Sequence, residues 1–142
     1  MTRKLIKDEI DALCQVLRGQ SGRDVFVGRP DERSSGLYVL PLNVFPNAEA
    51  RKAPRTSRAG TVEPPLSVRI QVLITAHPAK DLEGLGRAIQ ILHEHPIIES
   101  DVGLVKVIFA PQPLDAMLSI LSWAGIDNGT GACYELSFTE KP

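Results

Sequence analysis

Between Pro64 and Pro96 a period-two apolar pattern passes through a short turn into a period-3.6 pattern. Leu66, Val68, Ile70, Val72, Ile74 and Ala76 alternate with Ser67, Arg69, Gln71 and Thr75, the signature of a strand with one face in a core. Leu73 alone interrupts the polar face. Leu82, Leu85, Ile89 and Leu92 then recur at helical spacing, widened by Ala88 and Ile91. Pro96 closes that helix because it brings no N–H to the ladder. A strand followed by a helix that lies back across it implies a sheet covered by helices.

The flanks extend this unit. Leu5, Ile6, Glu9, Ile10, Leu13, Cys14 and Leu17 predict an opening helix of about four turns, with Gly19 placed to end it. Val25 and Val27 predict a short strand; Tyr38, Leu40, Leu42 and Val44 alternate, and Pro41 among them predicts an edge position or a bulge. Val102, Leu104, Val105, Val107, Ile108 and Phe109 form a short apolar strand. Leu114, Met117, Leu118 and Leu121 define a helix with Asp115 near its positive end. Ala132, Tyr134, Leu136 and Phe138 give a closing strand. The expected fold class is α/β (α+β), a single mixed sheet of about five strands against about three helices. A length of 142 residues suits one domain over 1–142. Within it, residues 46–65 change composition. Arg51, Lys52, Arg55 and Arg58 stand among Pro, Ser, Thr and Gly, an extended basic arm or loop that cannot pack a core of its own.

The chain resembles the N-terminal domain of the tail-terminator, or cap, proteins of phage-tail-like contractile injection systems, a former domain-of-unknown-function family. The resemblance rests on Pro64-Pro65-Leu66, the strand end Leu73-Ile74-Thr75-Ala76, and the run from Leu85-Gly86-Arg87 to Leu92-His93-Glu94-His95-Pro96. Family members often carry a further C-terminal region. The resemblance implies a structural protein and not an enzyme: a ring, of six copies when assembled, that ends a contractile tail tube and sheath and stops polymerisation. Its implied partners are copies of itself and the tube and sheath proteins. The implied place is the cytoplasm and then the assembled particle.

Other chemistries compete with this reading. His93 and His95, two apart, point to opposite sides of a helix and cannot share a metal while helical; His93 is expected to cap the helix end. Gly84-Leu85-Gly86 lacks both the full dinucleotide fingerprint and a Lys-Ser/Thr ending, so Gly86 is expected to serve close helix packing. No cofactor, metal or catalytic residue is expected. Cys14 and Cys133 are expected to be buried, reduced thiols. The enzyme alternative uses His77 or a Cys14–His77 pair, and requires an accessible thiol or a pocket beside His77. A second alternative is a nucleic-acid adaptor using the arm; a net charge of −1 and 5% aromatics weigh against it. No apolar run approaches the ~20 residues of a membrane span. Candidate contacts to a neighbouring subunit or the sheath are Arg51, Lys52, Arg55 and Arg58, with Trp123 as an aromatic anchor if exposed.

Overall fold

The strand read from residues 66–76 forms as β5 (Val68–His77) near the centre of a six-stranded sheet. The structure, a computed structural model, describes residues 6–30, 34–46, 55–57, 60–62, 68–100, 103–126 and 129–140, with side chains left aside at 55–57, 60–62 and 140. The described elements are α1 (Lys7–Ser21), β1 (Val25–Val27), β2 (Gly36–Pro46), β3 (Arg55–Ser57), β4 (Gly60–Val62), β5, α2 (Leu82–Glu94), β6 (Ile97–Glu99), β7 (Gly103–Phe109), α3 (Leu114–Trp123) and β8 (Gly131–Glu140). The strand order is β1-β2-β5-β8-β7-β6, with β3 and β4 paired in a separate antiparallel hairpin. Only the β1–β2 pair of the main sheet is parallel, so the sheet is mixed and the fold α+β.

Register places one apolar row after another on the first face. Val39, Ile74 and Ala132 are aligned across β2, β5 and β8, as are Ile70, Leu136 and Val107 across β5, β8 and β7. Helices α1 and α2 cover this face, burying Leu13, Leu17, Ala88 and Ile91 against it. Helix α1 touches both outer strands, β1 and β6, as the sheet curls around it. At 25 cal/mol per Å2, each such leucine or isoleucine contributes roughly 2 kcal/mol of transfer free energy.

The single break in the polar pattern of β5 now has its cause. Leu73 aligns with Leu40 and Cys133, and these three lie beneath α3 on the second face, with Met117, Ile120 and Leu121 packed on them. Two helices on one side and one on the other make three layers. Pro41 sits at a bulge in β2 between Pro41 and Asn43, just beyond Val39, the last residue paired to β1. There the strand needs no donor on its outer side.

Several expectations are corrected. Helix α1 runs through Gly19 and ends at Gly22, whose φ of 70° and N–H bond to Arg18 O form the left-handed cap. The α2 end is capped by His95, whose Nδ1 lies 2.8 Å from Ile91 O, while His93 is exposed. Gly86 does not mediate close packing: a Cβ there meets nothing within 4 Å. The tight glycine of α2 is Gly84, where a Cβ would strike the Asp81 carboxylate.

Candidate interaction surfaces

Covering one face with a single short helix leaves much of that face open. Beyond α3 the rows Asn43–Gln71–Glu135 and Phe45–Arg69–Ser137 cross β2, β5 and β8. Arg69 pairs with Glu135 and lies 5.1 Å over the Phe45 ring, so this surface is flat, polar and internally neutralised. Helix α3 itself carries apolar residues on its outer side: Leu114 is 75% and Leu118 58% exposed. Trp123, the predicted anchor, is 54% exposed at the end of α3, with the Arg29 guanidinium 5.0 Å above its ring. It therefore joins the β1–β2 connection to α3 and still presents half of its surface.

A second apolar feature lies between α2 and the ends of β7 and β8. Two adjoining grooves of about 460 and 440 Å3 share Gly86, Ile89 and Phe109. Phe109 stacks on Tyr134 at 5.0 Å yet is 54% exposed. Its phase with Val105 and Val107 puts it on the core face, and the groove beside it leaves the ring open. The alternation in the sequence gives its face; only the extent of the helix cover gives its exposure. Gly86 adds no side chain at the groove wall, which explains this glycine better than packing does.

These surfaces hold little reactive chemistry. Cys14 is 1% exposed on the buried side of α1, and burial pushes its thiol up to about 11. Burial also raises Cys133, whose Sγ sits 3.5 Å from Met117 Sδ under α3. Both cysteines are free, and they belong to clusters on opposite faces of the sheet. His77 lines neither groove and instead meets the edge of Tyr38 at 6.4 Å. The enzyme alternative thus has no accessible thiol at Cys14, and His77 stands apart from both of these grooves. Among the described residues no helix is long and apolar enough to cross a membrane.

Of the predicted arm residues, Arg51, Lys52 and Arg58 lie outside the described residues, and Arg55 opens β3. Sequence reasoning missed Phe109, Leu114 and Leu118 as exposed apolar groups, because their patterns are those of core residues.

Two solved structures share this fold across the chain. The sheath/tube terminator of the extracellular contractile injection system PVC, in its extended state, superposes with a TM-score of 0.71 at 12% identity, covering 100% of this chain and 58% of that one. The tube-terminating cap of the anti-feeding prophage AFP gives 0.71 at 12% identity, covering 98% of this chain and 56% of that one. The chain thus spans under three fifths of the length of these terminators. Comparison with curated protein sequences gives no match. The family described as Pvc16 N-terminal domain matches residues 3–120, most of the chain. With that match and the shared three-layer fold, the chain belongs to the Pvc16 N-terminal domain family.

Proposed function

We propose that this protein is a terminator of a contractile injection system, a cap that sits on the last layer of tube and sheath and stops their growth. The observation that carries this reading is the family match joined to a fold shared over the whole chain with two tube terminators. The mechanism is one of shape. A subunit accepts the final polymer layer on one surface and offers no matching surface for a further layer. Copies close laterally into a ring of six, so that lateral contacts are satisfied without axial propagation. The exposed apolar groups Phe109, Leu114 and Leu118 supply contact area of the kind such an assembly buries. Arg51, Lys52, Arg55 and Arg58 contact the neighbouring subunit or the sheath, and Trp123 anchors the same contact from α3.

The test is electron microscopy of the protein mixed with assembled tube and sheath. Density at one end only is the expected result. Decoration along the filament sides, or none, overturns the proposal.

A further inference from the structure

The end of the sheet where β7 stops and β8 begins carries a broad apolar surface between α2 and α3. Leu82, the first residue of α2, is 62% exposed and lines one of the two grooves together with Phe109, 54% exposed, and Met117 of α3. Leu114 and Leu118, 75% and 58% exposed, lie about 40° apart around α3 and within about 100° of Met117. They form a ridge along the bank of that groove. No aspartate, glutamate, lysine or arginine lines either groove, and Asp115 is the one charged residue of α3.

At roughly 200 Å2 for a whole leucine or phenylalanine, Leu82, Phe109, Leu114 and Leu118 together expose on the order of 500 Å2. This is near the upper end for the largest apolar patch of a soluble monomer. Two such patches set face to face remove on the order of 1,000 Å2 from water, the least that a specific interface needs, and the groove walls add to it. No charge in either groove is desolvated by the contact. A net charge of −1 per chain also leaves little repulsion between copies.

Shape selects the occupant. Ridge and groove lie side by side on one chain, so a two-fold rotation sets the ridge of each copy into the groove of the other and makes every contact twice. Gly86 leaves the wall shared by the two grooves without a side chain, where an incoming leucine meets Ile89 and Phe109. We propose that free copies of this chain pair about such an axis, Leu114 and Leu118 of each entering the groove beside Gly86 and Phe109 of the other. The area makes the pair weak and reversible. Its consequence rests on the terminator reading above: Phe109, Leu114 and Leu118 are the groups assigned there to the assembly, so the pair is a holding form that a tube end has to open.

Sedimentation equilibrium should show one chain passing to two between about 5 and 500 μM. Gly86→Leu, which fills the groove in open space, and Leu114→Ser with Leu118→Ser, which flattens the ridge, should each weaken pairing about tenfold or more. Thermal unfolding confirms that these variants are folded. Oxidation of Gly86→Cys mixed with differently tagged Leu118→Cys should give the mixed disulfide dimer, and the Gly86→Cys/Leu118→Cys double variant a doubly bridged dimer and nothing longer. Wild-type protein, both of whose cysteines are 1% exposed, is the blank.

A single chain at the highest concentration overturns the pairing, and if the ridge variant then also loses capping, the patch belongs to tube or sheath. Links between two Leu118→Cys chains in place of mixed ones, or a ladder of trimers and longer species from the double variant, overturn it as well. A bridged dimer that still caps tube ends overturns the holding form. Capping by unbridged protein is scored by electron microscopy alongside: pairing without capping refutes the terminator reading, whereas capping without pairing refutes this inference alone.

Discussion

Asp81 serves two partners with one carboxylate: Oδ2 lies 2.6 Å from Arg23 Nη1, and Oδ1 accepts the Gly84 N–H at 2.9 Å. The first contact ties the chain just after α1 to the start of α2, and the second caps α2. Arg87 Nη2, which reaches Gln20 O at 3.3 Å, joins the same two helices. The layer that covers the first face is thus fastened at one corner by polar bonds.

Asp81→Ala should lower stability by about 1.5 kcal/mol, as the loss of an N-cap does. Arg23→Ala should cost only about 0.5 kcal/mol, because the pair is partly solvated. Urea unfolding of both single variants and the double variant measures this. Equal costs would show that the cap contributes nothing beyond the ion pair.

The two glycines of α2 should respond with opposite sign. Gly86→Ala fills open space in an exposed helix position and should stabilise by about 0.5–1 kcal/mol. Gly84→Ala puts a methyl into the Asp81 carboxylate and should destabilise by about 1 kcal/mol despite the better helix propensity. Thermal unfolding of the pair reads the difference directly.

Helix α3 separates fold from surface. Leu73, fully buried beneath it, should cost about 3 kcal/mol when cut to alanine. Leu114→Ser with Leu118→Ser should change stability by no more than about 0.5 kcal/mol. The same double variant should lower the fraction of capped tube ends seen by electron microscopy.

Alkaline pH should weaken the fold through Cys14. Folding keeps its thiol protonated up to about 11, against an ordinary value near 9. Between those values the native state binds more protons than the unfolded chain, so stability falls as pH rises through that window. The loss is on the order of 2–3 kcal/mol, with buried Cys133 and Tyr134 adding in the same direction. Urea midpoints from pH 8 to 11 should show a slope that Cys14→Ala reduces.

Long periodic segments carried most of the architecture. β5, β8, α2 and α1 were all readable because each repeats its pattern over ten residues or more. Leu73 in the polar phase of β5 was already the trace of a helix on the second face. Of the three-residue strands β1 was readable from the alternation of Val25 and Val27, whereas β3, β4 and β6 carry no apolar alternation and their pairing is decided by partners elsewhere. The capping roles of Gly22 and His95 were missed for a related reason. Helix ends depend on which backbone groups remain unpaired, and neighbouring candidates such as Gly19 and His93 look equivalent in sequence. Exposure of Phe109 and Leu114 depends on where the helix cover stops, which no local pattern encodes.

Pro46 and Val68 are ladder partners at the end of β2 and β5. Whatever lies between them leaves and rejoins the domain at a single point, so its length and charge can vary without shifting any register in the sheet. Selection can therefore retune which neighbour a subunit accepts while the scaffold stays as it is, and exchanging residues 47–67 between related caps should exchange their assembly preferences with them.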